Sequence, residues 1–259
     1  MPVERSFQPK RIYLMLRNAM VLNRSSIAVV SASVAGVAIL ISFLDALGGC
    51  RPLLHRNLYL VVLITGGLLF TSRSFRSLHD PIQGLSWLLL PVSLLEKTIV
   101  YILLTTVIYV TGSMLLFVVI SMVSEALNQM LLGRHHDLFA PIDPLVLKSA
   151  LTYTAVQAPF LVGATYFRKH ALSKTILVLT GFLVLLAAGI FMALKIILGG
   201  QWSSMDIERM LDGADVGIAW EQLKQIGCAA AGTAKVLFWA VIPLVSWTIC
   251  YFRLKETER

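Results

Sequence analysis

Few side chains in this chain are placed to do chemistry. Gln157 and Pro159 stand near the middle of an apolar run, residues 147–167. A Gln at such a position either lines a polar pathway or bonds to a neighbouring helix, and the Pro beside it kinks the run. Both roles stay open for the pair. His135, His136 and Asp137 offer ligand atoms, but they are adjacent on a polar loop and no His recurs at helical spacing. Such neighbours rarely converge on one ion, so no metal is expected. Cys50, Cys228 and Cys250 form no Cys-x-x-Cys pair, which removes the usual zinc and redox patterns. Leu-Gly-Gly-Cys ending at Cys50 has the look of a lipoprotein processing box. The long segment before the first apolar core does not fit a short signal peptide, and an uncleaved signal anchor is the better reading. Asp45, at the end of that core, reads as an interfacial carboxylate facing water.

Catalytic patterns are missing from the sequence. There is no Gly-x-x-x-x-Gly-Lys-Ser/Thr phosphate loop, no His-Glu-x-x-His and no Gly-x-Ser-x-Gly. No paired carboxylates fall inside an apolar run, which disfavours an ion-coupled carrier. The chain is expected to be non-catalytic and to hold no cofactor. If it does vectorial work, another subunit supplies the energy.

One stretch has the charge and pattern of a mechanical element. Residues 72–97 read SRSFRSLHDPIQGLSWLLLPVSLLEK, between two apolar runs. Arg73 and Arg76 make its start basic, and it turns apolar at Gly84. Phe75, Leu78, Ile82 and Leu85 share helical spacing and form a face suited to a partner's groove. Pro81 interrupts or restarts that helix. Pro91 fixes its own φ and disfavours helix in the residue before it, so it separates a surface helix from the next span. The competing reading is an interfacial loop whose apolar side lies on lipid.

The elements that position this stretch follow from composition. The chain has 259 residues, 57% hydrophobic and 14% charged, with mean hydropathy +0.79. Soluble domains average about 25% charged residues. The apolar residues gather in runs of roughly 20, enough to cross a hydrocarbon core about 30 Å thick. The expected fold is an all-α polytopic membrane protein with roughly six spans, near residues 27–47, 57–71, 98–123, 147–167, 175–198 and 232–251. Residues 1–259 then form one transmembrane domain. Residues 1–24 form an amphipathic cytoplasmic helix, opened by Pro9, with Lys10, Arg17 and Arg24 on one side and Ile12, Leu16, Ala19 and Met20 on another. Residues 201–227 form short, acid-rich extracytoplasmic helices before the last span.

The net charge of +8 belongs to alternate loops that all fall on one side of the membrane, with no basic–aromatic platform for nucleic acid. The positive-inside rule puts both termini in the cytoplasm, against the exceptions Arg51 and Arg56. Cys50 and Cys228 both fall on the outer side in this topology. Two free thiols are the expectation, because a bridge needs Cα atoms within about 7 Å.

The pattern resembles the type-2 permease family of ATP-binding cassette (ABC) exporters. Gly84, Leu88, Leu89, Pro91, Val92, Ser93, Glu96 and Lys97 stand in a stretch similar to the family's Gly-x-x-x-x-Leu-Leu-x-x-Pro-Val-Ser signature before span three, here with one residue fewer in each gap. Ser86 and Trp87 stand where the family usually has an acidic residue. The resemblance implies a permease subunit of the inner membrane, working as a homodimer or heterodimer with separate ABC ATPase subunits. It implies ATPase coupling through Phe75, Arg76, Leu78, Ile82 and Leu85. Gly84, Pro91, Glu96 and Lys97 would then join that region to span three, and spans one and five would form the dimer interface. The alternative is a non-transporting polytopic scaffold or assembly factor.

Overall fold

The structure is a computed structural model that describes residues 8–49, 53–75, 92–135, 137–197, 235 and 237–257. Among these residues all regular structure is helical. Five helices are long and apolar enough to cross a membrane. They mark a multi-pass membrane protein, since a spanning helix satisfies its backbone hydrogen bonds internally.

Helix α1 (Pro9–Leu22) starts with its Pro at the first helical position, where the missing N–H is not needed. A single residue, Asn23, separates it from α2 (Arg24–Gly48). Helix α3 (Leu54–Arg73) reaches further at both ends than the 57–71 expected from hydropathy. At 20 residues it measures about 30 Å, which matches the bilayer core without thinning. Helix α4 (Leu94–Leu132) is one 39-residue element. It is α-helical over Leu94–Leu103, forms a π turn over Leu104–Ile108 and is α-helical again over Tyr109–Leu132. Gly133, at φ 62°, ends it in the left-handed conformation that glycine tolerates. Helix α5 (Pro144–Tyr166) and α6 (Ala171–Ile197) follow. The last described segment is a π turn, Leu237–Val241, running into α7 (Ile242–Thr257). The expected short helices of residues 201–227 lie outside the described residues, as do Cys50 and Cys228. Cys250 is a free, buried thiol.

Helix α5 is the hub. Helices α3, α6 and α7 pack on it, while α2 and α3 pack on α4. Successive long helices therefore run antiparallel, and one end of the bundle carries α1, the C-terminus of α3 and the N-terminus of α4. The other end is closed by Tyr59, Phe117 and Phe139. The Tyr59 ring lies 5.4 Å from Phe117 and 4.9 Å from Phe139, centroid to centroid. Asp143 caps α5 there by accepting from the Leu145 N–H at 2.8 Å, and it receives Arg56 Nη1 at 3.2 Å. These bonds, the Leu145 N–H foremost, hold the Asp143 carboxyl below its ordinary value. The pair also accounts for one of the two basic residues at odds with the charge bias, since Arg56 carries its own counter-ion. His135 lies 2.7 Å from Glu125, and no group of three metal-ligating side chains occurs among the described residues.

Candidate functional site

The stretch 72–97 is described at its two ends, and both ends are anchored in the bundle. At the first end α3 runs out at Arg73 and the chain turns inward at Phe75. The Phe75 side chain is 0% exposed. Its ring lies 4.3 Å from the Tyr101 ring of α4, in a cluster with Leu161 and Ala164 of α5 and Cys250 and Leu254 of α7. One aromatic side chain thus holds three helices. Burying such a ring contributes about 2–3 kcal/mol by transfer from water, before packing is counted.

At the second end α4 begins with a capping box. The Ser93 hydroxyl accepts from the Glu96 N–H at 3.3 Å, and the Glu96 carboxylate accepts from the Ser93 N–H at 2.8 Å. Ser-x-x-Glu ahead of an apolar run is the sequence signature of this arrangement. The second Glu96 oxygen accepts the Gln8 N–H at 2.8 Å. Gln8 is the extended residue that precedes α1, so one carboxylate satisfies backbone donors at the start of two helices. The Arg11 charge lies close enough to act on it. Glu96 and Lys97 are both buried. A buried carboxylate is tolerated only when its oxygens are hydrogen-bonded, and these bonds meet that need.

One turn further in, a buried polar layer joins α3, α4 and α5. The Thr71 hydroxyl donates to Gln157 Oε1 at 3.1 Å and lies 3.4 Å from the Tyr153 hydroxyl. Tyr153 donates to the Thr105 carbonyl at 2.8 Å. Thr105 belongs to the π turn, where widened winding leaves carbonyls free for other partners. The side chain of Tyr109 donates across to the Val62 carbonyl of α3 at 3.0 Å. The two tyrosines approach because Gly66 and Gly67 have no side chains. A Cβ on Gly67 would overlap the Tyr153 ring and come within 2.8 Å of Tyr109, and one on Gly66 would meet the Tyr109 hydroxyl at 2.8 Å. Gln157 is 0% exposed, and its Nε2 has no hydrogen-bond partner among the described residues. Pro159, two residues on, lies inside α5 and removes one backbone donor from it.

Of the residues singled out from sequence, Phe75, Glu96 and Lys97 lie at the two anchored ends, and Gln157 and Pro159 lie in α5 within the adjoining layers. Arg76, Leu78, Ile82, Gly84, Leu85 and Pro91 lie outside the described residues. Sequence reasoning did not select Thr71, Tyr153 or Tyr109, whose roles come from pairing across helices. The Ser93–Glu96 spacing and the Gly66–Gly67 pair were visible signals of a cap and of close packing. The Gln8 contact had none, because it joins positions 88 residues apart. Chemically the arrangement offers hydrogen bonds and packing rather than a nucleophile–base pair. No protein-family model, curated protein or solved structure matches the chain.

Proposed function

We propose that this chain is the transmembrane permease subunit of an ABC exporter. It works as a homodimer or heterodimer in the inner membrane, with both termini cytoplasmic, and moves its substrate with ATP hydrolysed on a separate subunit. The segment from residue 237 to Thr257 is the end of a sixth span. The observation that carries this reading is the double anchoring of residues 72–97. Phe75 fixes one end among α4, α5 and α7, and Glu96 fixes the other to α1 and α4. A partner that moves the intervening residues pulls on the bundle through both anchors, which is what a coupling element requires. The polar layer above Phe75 then passes the movement from α3 to α5 and to the π turn of α4. Sparse internal burial supports the dimer: α6, the fifth span, has no buried residue in its most apolar window, and α2, the first, has few.

The test is purification of the tagged chain from its native membrane in mild detergent, with mass spectrometry of what accompanies it. Recovery of an ATPase bearing an ABC signature, and stimulation of its hydrolysis when both are reconstituted, is the expected result. A stable complex with no such ATPase overturns the exporter reading and favours a scaffold.

A further inference from the structure

Helix α1 divides its surface in a way that composition does not foretell. Arg11, Ile12, Met15, Leu16 and Ala19 are half-buried against the rest of the chain, and the Gln8–Glu96 bond pins the start of this face to α4. The apolar side is therefore partly covered by protein, with Met20 of that side left exposed. What α1 turns outward is a mixed face. Lys10 and Arg17 are exposed along it, Arg24 is exposed just beyond it as the first residue of α2, and Tyr13, Leu14 and Val21 stand out between them at 63%, 49% and 53% exposure. Only Asn23 separates α1 from the membrane-length α2, so this face lies at the level where a bilayer's headgroups begin.

Bases interleaved with apolar and aromatic side chains fit that layer. The apolar groups enter the acyl boundary while the long basic side chains reach back to the phosphates. We propose that the outward face of α1 binds the headgroups of anionic phospholipids. Charge complementarity argues for lipid over an acidic protein surface. A protein partner would cover Tyr13, Leu14 and Val21 but would not explain bases at seven-residue spacing, two on α1 and the third at the first residue of α2, where the chain enters the membrane-length helix. Because α1 is tied to α4 through Glu96, the lipid contact bears on the same end of the bundle as residues 72–97. The proposal does not depend on the exporter assignment.

The test uses the full chain carrying Leu14→Cys with an environment-sensitive fluorophore, in a Cys50→Ser/Cys228→Ser background. It is reconstituted in nanodiscs of phosphatidylcholine, alone or mixed with phosphatidylglycerol. Phosphatidylglycerol should shift the emission to the blue and reduce quenching by aqueous iodide, and raised salt should reverse both. Each neutralised base should weaken the response about fivefold, and Lys10→Gln/Arg17→Gln/Arg24→Gln together roughly a hundredfold. Identical emission in the two lipid compositions overturns the proposal, and this arm needs no charge variant. A shift produced by soluble polyglutamate over phosphatidylcholine, and not by phosphatidylglycerol, overturns it in favour of an acidic protein partner.

Discussion

Gln157 carries unequal obligations at its two ends. Its Oε1 holds the Thr71 hydroxyl of α3, while its Nε2 is buried without a partner among the described residues. The bond and the orphaned donor pull in opposite directions energetically, so Gln157→Leu alone gives a mixed result. A double-mutant cycle with Thr71→Val isolates the bond. Buried inter-helix bonds in membranes average about 0.6 kcal/mol and reach roughly 2. A coupling energy of about 1 kcal/mol is expected from unfolding in mixed micelles with dodecyl sulfate, and strict additivity would show that the contact contributes nothing. Asp143 is a different kind of residue, a half-buried carboxylate that stabilises by its charge and its cap. Its folded pKa is depressed from 3.8, first by the Leu145 N–H and then by Arg56. The sign follows: the contribution is complete above the unfolded pKa, near 4, and is lost as pH falls through the lower folded value. Asp143→Ala should therefore be less stable than wild type at neutral pH, with the gap closing in acid below about pH 4. A gap independent of pH would mean that the ionised carboxylate is not what stabilises.

At the scale of elements, the two glycine environments make opposite forecasts. Gly67 is pressed against Tyr153 and Tyr109, while Gly36 in α2 has nothing within 4 Å of its would-be Cβ. Gly67→Ala should destabilise by about 1–3 kcal/mol through overpacking. Gly36→Ala should be neutral or mildly stabilising, since Ala is the better helix former. Equal melting temperatures for both variants would show that α3 and α5 are not held at that distance. Helix positions were largely legible in the sequence because hydropathy reports them directly: α2, α5 and α6 begin and end within a few residues of the expected runs. Pro9 marked the start of α1 as well. The π turn was not legible. Leu104, Thr105 and Thr106 fit an ordinary α-helix, and the extra winding is compensated by Thr hydroxyls bonding back to the Tyr101 and Ile102 carbonyls and by Tyr153 arriving from another helix. The apolar side of α1 was legible as a face but not as a contact, because periodicity does not say whether lipid or protein covers it.

The same ambiguity decides how the whole molecule should be probed. Phe75, Leu78, Ile82 and Leu85 share a helical spacing, which suggests one uniform face toward a partner. Phe75 instead sits between α4, α5 and α7 with no exposed surface. Truncating it should disturb the chain itself, at about 3–5 kcal/mol for a buried Phe reduced to Ala. A loss of binding to the proposed ATPase in Phe75→Ala would then report unfolding as readily as coupling. Leu78→Ala together with Ile82→Ala makes the sharper experiment. If those side chains enter a groove on the ATPase, removing two interfacial anchors should lower its recovery at least roughly thirtyfold, the equivalent of about 2 kcal/mol. Membrane insertion, detergent elution and thermal stability of the chain should stay at wild-type levels. Charge reversal at Arg73, which is exposed, should do less, because exposed ion pairs contribute under about 1 kcal/mol. Recovery is measured by pull-down from co-expressing membranes, normalised to the content of this chain. Wild-type recovery with Leu78→Ala/Ile82→Ala would assign the apolar side of residues 72–97 to lipid. The double anchor through Phe75 and Glu96 would then be holding a loop in place rather than transmitting force.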